Sequence, residues 1–314
     1  MRPASHAGSW YPSKFEDLQK MLAGMFSSVQ TVGVGPSKSS SRLKALVSPH
    51  AGLPYSGPVA SEGYAMLSKE LKNLEKAGSE KMRFFIFGPS HTAFIDNKCL
   101  LPGFDEYASP YGGFSIDTTV RQNLLSSKDN LFGIMQKKIE IAEHSIEMQL
   151  PYLARALEEA KIPQETIEIV PILVGNLTES MEKQYASAFL PYWNDCANFF
   201  LFSGDFCHWG ERFGYQYHYK KHEFEAIDDA ISAMDREGIS HLINKNLQSW
   251  YAYLRKTGNT ICGEHPFGIL LNIIRSVDSA GVNAELHLLG YDKSNVCANT
   301  DDSRVSYASV GVWV

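Results

Sequence analysis

The sequence predicts an α/β protein: one α/β/α sandwich with a central mixed, mostly parallel sheet. Three observations carry that prediction. Short, very apolar runs at Leu43–Ser48, Phe84–Phe87 and Phe199–Ser203 read as strands buried on both faces. Each run stops at a turn of small residues and is followed by a histidine: Pro49-His50-Ala51-Gly52, Gly88-Pro89-Ser90-His91 and Gly204-Asp205-Phe206-Cys207-His208. Helical and extended patterns alternate from end to end with no internal repeat or polar linker, so residues 1–314 read as one domain.

The elements follow in order. Ser13-Lys14-Phe15-Glu16 is a capping-box pattern, and Phe15, Leu18, Leu22 and Met25 recur at helical spacing, predicting a helix over Lys14–Phe26. Thr31–Ser41, rich in Gly, Ser and Val, reads as a surface loop insertion. The His50 strand is followed by a helix predicted over Pro58–Leu74, and the next strand ends at His91. Pro102–Gly113 is full of turn formers and is expected to be irregular. A helix is predicted over Thr118–Ser126 and a short strand over Ile139–Ala142. Ser145 is placed as the N-cap of a helix reaching Ala160. Thr166–Val174 reads as a buried strand whose Pro171 suggests an edge or a bulge. A helix over Glu179–Tyr192 leads to the third histidine-bearing strand. The last third predicts helices over Glu223–Met234, Leu247–Lys256 and Pro266–Ala280, with Gly258 and Gly281 as stops and Pro266 at the first helical position. Strands over Ala284–Tyr291 and Ser306–Val314 close the chain and need not be parallel to the others.

Composition narrows the function. The formal net charge is −6, with 44% apolar and 20% charged residues. An acidic chain argues against general nucleic-acid binding, which needs a basic face. No apolar stretch is long enough to span a bilayer, so no membrane insertion is expected. The first residues lack the apolar core of a signal peptide. Five widely spaced cysteines without a CxxC pair suit neither a disulfide framework nor a zinc knuckle. The expected location is cytoplasmic, with the nucleus also open.

In an open α/β sheet, parallel strands deliver their C-terminal loops to one edge, where ligands bind. His50, His91 and His208 would meet there, as raw material for a metal or acid–base site. His50 and His91 are the foremost ligand candidates. Asp205 could complete a site of two histidines and one carboxylate, suited to ferrous iron. Cys262 competes for the same place, because the N-terminus of the following helix favours a thiolate; its alternative role is that of a small buried hydrophobe. His208 could be a base oriented by Asp205, or Asp205 could cap the turn while His208 stacks on Trp209. His144 and His265 stand at predicted helix starts, where a structural hydrogen bond is the ordinary role. Trp10 and Tyr55, in turn-rich segments, either wall a ligand pocket or pack beneath their loops. His6, His218, His222, His241 and His287 have no context that singles them out.

Taken together, the segments resemble the Memo family. The matching phrases are Ala4-Ser5-His6-Ala7-Gly8-Ser9-Trp10-Tyr11, Ser48-Pro49-His50-Ala51-Gly52, Phe87-Gly88-Pro89-Ser90-His91, Glu143-His144-Ser145-Ile146-Glu147-Met148-Gln149-Leu150-Pro151, Val170-Pro171-Ile172-Leu173-Val174-Gly175, Gly204-Asp205-Phe206-Cys207-His208-Trp209-Gly210, Thr260-Ile261-Cys262-Gly263-Glu264-His265-Pro266 and Val305-Ser306-Tyr307-Ala308. They cover nearly the whole chain. Thr31–Ser41 and the stretch around Leu74–Glu80 look like insertions relative to compact members. The family's fold is similar to that of class III extradiol-type non-haem iron dioxygenases. That likeness implies His50 and His91 as metal ligands, Cys262 where the dioxygenases place a glutamate, and His208 as the base. It also implies iron or copper as cofactor, a copper-linked redox activity, and phosphotyrosine peptides of signalling receptors as partners in the same cleft. Trp10, Tyr55, His144 and His265 are the candidate binding residues of that cleft, with Asp205 beside them. Three functions compete: a metal-dependent redox enzyme, a phosphopeptide- or protein-binding module on a dioxygenase-like scaffold, and a zinc hydrolase.

Overall fold

The computed structural model describes residues 1–29, 34–37, 41–75, 82–127, 130–217 and 224–314. The predicted loop at 31–41, the stretch at 74–80, His218, His222 and the start of the helix predicted at Glu223 lie wholly or partly outside the described residues.

The helices are α1 (Phe15–Ser27), α2 (Leu53–Glu75), α3 (Thr118–Leu125), α4 (Lys137–Ala142), α5 (Leu150–Ala160), α6 (Glu179–Trp193), α7 (Ile227–Ile243), α8 (Leu247–Thr257) and α9 (Glu264–Ser279). The strands are β1 (Leu43–Ser48), β2 (Met82–Pro89), β3 (Cys99–Leu101), β4 (Glu106–Ser109), β5 (Gly112–Ser115), β6 (Phe132–Ile134), β7 (Ile167–Val174), β8 (Asn198–Ser203), β9 (His208–Trp209), β10 (Glu285–Lys293) and β11 (Arg304–Trp313). The main sheet runs β10-β11-β1-β8-β2-β7-β3-β6, with β9 added against β11, while β4 and β5 form a separate hairpin. Its centre, β1-β8-β2-β7, is parallel. The last strand, β11, is antiparallel to it, β10 is antiparallel to β11 and so runs with the centre, and β3 is antiparallel to β7. The result is the predicted α/β sandwich on a mixed sheet.

Strand periodicity of two divides the core. Phe85, Phe87, Phe200 and Phe202 face the layer of α6, α7, α8 and α9. Phe84, Ile86, Phe199 and Leu201 face α1, α2 and α5. Phe85 stacks on Phe200 at 4.8 Å and Phe87 on Phe202 at 4.7 Å, locking the register of β2 against β8. That register brings the last residues of the two strands, Pro89 and Ser203, to the same edge.

Several local expectations fail for identifiable reasons. Ser13 caps nothing: the N-cap of α1 is Lys14, without a side-chain bond. Helix α2 starts at Leu53, not Pro58, because the Leu53 N–H is taken by the Trp10 carbonyl and the first turn docks beneath the N-terminal segment. Tyr55 therefore sits on a helix and not in a turn. Part of the stretch predicted irregular, Pro102–Gly113, is the β4–β5 hairpin. Ile139–Ala142 is helical; α4 forms because the buried Glu140 carboxylate accepts the Gly103 N–H and the Tyr107 hydroxyl. Ser145 caps no helix: its hydroxyl donates to the Pro89 carbonyl, and α5 starts at Leu150. Strand β7 is internal and unbulged. Pro171 is tolerated because β3 pairs only with Leu173 and Val174, so the missing N–H falls beyond the end of that short neighbour. Helix α9 begins two residues before Pro266.

Candidate metal centre and its cleft

Each of the two foremost histidines follows its strand by two residues: His50 after β1, His91 after β2. Cys262 arrives from the loop before α9. Two glycines bring that loop close, since a side chain on Gly263 would lie 2.9 Å from the Gly204 Cα. His50, His91 and Cys262 each offer a donor atom within 4.8 Å of the others. The Cys262 sulfur stands 3.3 Å from His50 Nε2. Two such ligands on one tetrahedral ion would be separated by about 3.5 Å, given metal–nitrogen and metal–sulfur bonds of about 2.0 and 2.3 Å.

The proton positions follow from the hydrogen bonds. His50 Nδ1 lies 2.8 Å from the Ser203 hydroxyl. That hydroxyl gives its own hydrogen to the Ser145 carbonyl and receives Gln149 Nε2, so it can only accept from His50. His50 therefore carries its proton on Nδ1 and presents the lone pair of Nε2. His91 Nδ1 lies 3.0 Å from the Glu143 carboxylate, which likewise accepts, leaving the His91 Nε2 lone pair available. Both rings are held as metal-binding imidazoles usually are, with the outer nitrogen bonded to a fixed acceptor. Burial, then the charges of His91, His144 and His208, push the His50 pKa well down, so it is neutral as a ligand must be.

Glu143 is bound more tightly still. Burial would raise its carboxyl, but hydrogen bonds from His91 and the charges of His91 and His144 outweigh burial and hold it at about 2. It also accepts the backbone N–H groups of His91, His144 and Ser145. The Cys262 thiol departs from expectation. Burial, and the nearby Asp205 charge, push it well above the usual thiol range, so the helix end does not make it a thiolate. An ion held by the two imidazoles would supply the positive charge that displaces the thiol proton, and the Asp205 N–H aimed at the sulfur from 3.1 Å suits the anion.

The remaining candidates fall around this centre. Asp205 is buried, and its carboxylate receives the His50 N–H at 2.8 Å. It caps the His50 turn. His208 Nδ1 lies 3.1 Å from the Thr260 carbonyl, not against a carboxylate, and its ring meets Phe213 edge-on and not Trp209. Its Nε2 is therefore the nitrogen able to take a proton. His144 is more than a helix-start residue: its ring lies 4.4 Å from that of His91, 5.3 Å from His50 and 4.3 Å from Trp10. Burial, with His91 next, lowers its pKa to about 4. Tyr55 is 61% exposed. His265 points at Glu182, with Nδ1 2.8 Å from the carboxylate.

Three participants lack any short-range sequence signal. Ser203 and Glu143 orient the two candidate ligand rings. His6, unremarkable in the sequence, has its N–H and its Nδ1 on the buried Glu147 carboxylate and its ring 5.9 Å from Trp10 and 5.8 Å from His144. In the sequence, Glu143 and Glu147 stand out only through the phrase Glu143–Pro151, one of those that resemble the Memo family. A cavity of about 340 Å³ opens beside His91, lined by Ser90, Thr92, Phe94, Ile95 and Asn176. Among the described residues, no helix is long and apolar enough to cross a membrane.

Known proteins resemble this chain along its whole length. The family model described as Memo-like protein matches residues 2–311. Protein MEMO1 of Homo sapiens is 38% identical over 313 residues, covering 100% of this chain and 97% of the relative. Protein MEMO1 of Danio rerio is 37% identical over 308 residues, covering 98% and 96%. The Protein memo-1 homolog of Caenorhabditis elegans is 36% identical over 314 residues, covering 100% and 83%. Among solved structures, the crystal structure of the uncharacterized protein JW3007 from Escherichia coli K12 aligns with a TM-score of 0.48 at 9% identity, covering 85% of this chain and 99% of that one. The chain belongs to the Memo family.

Proposed function

We propose that this protein binds one iron or copper ion through His50, His91 and Cys262 and uses it in redox chemistry. The observation that carries the reading is the tautomer pair. Both Nδ1 protons are committed, to Ser203 and to Glu143, so two Nε2 lone pairs and one sulfur are the donors left for a shared ion. Two imidazoles and a thiolate are borderline to soft, which suits copper as well as iron, and three protein ligands leave open positions. A bound iron or copper ion would supply one-electron chemistry and a place for a substrate atom to ligate.

The chain's own residues set the rest. Ser203 and Glu143 hold the two rings in place. Asp205 fixes the backbone at His50 and aims its N–H at the sulfur. His208, with Nδ1 on a carbonyl, can hold or release a proton at Nε2. Trp10, His6 and His144 form an aromatic wall over the cleft, and that wall favours a second reading, in which the same cleft binds a phosphotyrosine peptide or signalling protein without turnover. A cytoplasmic role in signalling or in redox and metal homeostasis would suit either.

Elemental analysis of protein purified without chelators tests the first reading. It expects about one iron or copper per chain, lost in His50→Ala and His91→Ala, with Cys262→Ser keeping fold but losing copper(I) preference. Zinc as the native metal would favour the hydrolase instead. Metal content that survives both histidine variants would refute the site.

A further inference from the structure

Two loops are tied together beside His91, and the 340 Å³ cavity opens on them. Residues 90–98 follow β2, and Gly175 and Asn176 follow β7. The Asn176 N–H donates to the Ile95 carbonyl, and the Asn176 carbonyl accepts the Asn97 N–H, both at 2.8 Å. The Gly175 N–H donates to the Lys98 carbonyl at 3.1 Å. The approach is so close that a Cβ on residue 175 would lie 2.4 Å from the Ile95 oxygen. Within the first loop the Ser90 hydroxyl donates to the Ala93 carbonyl at 2.7 Å. Phe94, which lines the cavity, nevertheless stays 82% exposed. A tied loop holds the ring out, so a ligand can cover it without rearranging the backbone.

Asn176 supplies a polar side of the same cavity, and its amide is oriented from behind. Among the described residues, His265 Nε2 is faced by two oxygens, Asn176 Oδ1 at 3.2 Å and the Glu264 carboxylate at 3.4 Å. That nitrogen is therefore a donor. An amide turned the other way would set its own N–H groups against it. The ring is held in turn through Nδ1, 2.8 Å from the carboxylate of Glu182, which is buried between α6 and α9 and also accepts the Tyr251 hydroxyl. Asn176 Oδ1 is thus committed to His265, and Nδ2 is the donor left over; among the described residues it has no partner. An exposed apolar ring beside one fixed polar group is the ordinary composition of a small-molecule site. Among the described residues the lining holds neither lysine nor arginine, and Glu264 stands behind Asn176. An anion would find no counter-charge there.

We propose that this cavity binds an uncharged carbonyl compound: Asn176 Nδ2 donates to the carbonyl oxygen, and Phe94 covers the apolar group next to it. His265 and Glu182 are positioning residues that keep the amide turned, and neither touches the ligand. No bond is made or broken, and the binding does not depend on the ion.

3-Phenylpropanamide is the probe, with the full chain as the protein. Its Kd is read by ligand-observed saturation transfer, once on protein as purified and once with a chelator present. Nitrogen-15 spectra taken with the chelator locate the site through the Asn176 side-chain amide and the Phe94 backbone. Saturable binding with a Kd on the order of 1 mM is expected in both states. 3-Phenylpropanoate, which is charged, and propanamide, which lacks the ring, should each bind about three- to tenfold more weakly. Asn176→Ala should weaken the probe by about three- to tenfold. Phe94→Ala should weaken the probe and leave propanamide unchanged. His265→Ala, which frees the amide to turn, should shrink the preference for the amide over the carboxylate. No saturation up to about 20 mM, an unchanged affinity in Asn176→Ala, or binding lost with the chelator would each overturn the proposal. So would a His265 Nε2 that carries no proton in wild type, because nothing would then hold the Asn176 amide in this orientation.

Discussion

The two histidines of the proposed metal centre are served by opposite kinds of support. His50 is 2% exposed and its outer nitrogen rests on a neutral relay of Ser203, Ser145 and Gln149 inside the sheet edge. His91 lies at the cleft surface, its ring 28% exposed, and its outer nitrogen rests on an ionised carboxylate. A neutral acceptor orients a ring and does little to its electron density. A carboxylate orients it and also makes it a stronger donor, because it stabilises positive charge on the ring. The difference follows the donors each site offers, since Glu143 is itself buried. A carboxylate in the place of Ser203 would face the Ser145 carbonyl with few donors to stabilise it, whereas at Glu143 four backbone N–H groups and two imidazoles already surround the charge. In the proposed centre His50 is thus the rigid anchor, and His91, which lines the cavity, the tuned donor.

Glu143→Gln should break this contrast with the largest effect on the ion. The shape is kept, the charge is lost, and one amide group now faces donors it cannot accept. Metal affinity is expected to fall about 10- to 100-fold, read by competition with a chelator of known affinity. If affinity stays within twofold, the carboxylate is only structural.

Ser203→Ala sharpens the contrast from the other side. It leaves His50 Nδ1, Gln149 Nε2 and the Ser145 carbonyl each short of a partner in the core. Stability should drop by about 1–3 kcal/mol, measured by urea unfolding, while metal affinity of the folded protein changes less than in Glu143→Gln. A larger loss of affinity than in that variant would reverse the assigned roles.

What the sequence makes legible divides along the same line. His50 and His91 stand out because buried strands and small-residue turns announce themselves within ten residues. Cys262 stands out because a helix start follows it. Their supports do not, because each is a contact across the chain: Glu143 is 52 residues from His91, and Ser203 is 153 from His50. The thiol of Cys262 shows the same limit. A helix end visible in the sequence argues for a thiolate, but burial, which only the fold reveals, reverses it. The layered fold was readable from alternation and apolar runs. The exceptions, α4 and the ordinary passage of β7 through Pro171, depend on tertiary partners: the N–H and hydroxyl that Glu140 accepts, and the shortness of β3.

The smallest effect on the ion is expected one turn beyond Glu143, at Glu147. This carboxylate is buried and collects Arg2, His6 and Tyr11, and through them it pins the N-terminal segment that carries Trp10. Burial alone would raise its pKa, but the His6 hydrogen bond, the Arg2 charge and the Tyr11 hydroxyl overcome burial and hold it at about 2. A folded value below the unfolded one means that folding is favoured by the ionised form. The contribution, about 3 kcal/mol at a shift of this size, is present above the unfolded carboxyl pKa near 4.5 and is lost as pH falls from there toward 2. Glu147→Gln should therefore flatten the loss of stability across that acid range while lowering stability at neutral pH, because Arg2 remains buried without its counter-charge. Metal affinity at neutral pH should move less than twofold, since no ligand touches Glu147. Unfolding curves at pH 7, 4.5 and 3 check the first part. A variant that unfolds in acid as steeply as wild type would show that the N-terminal anchor does not depend on this charge.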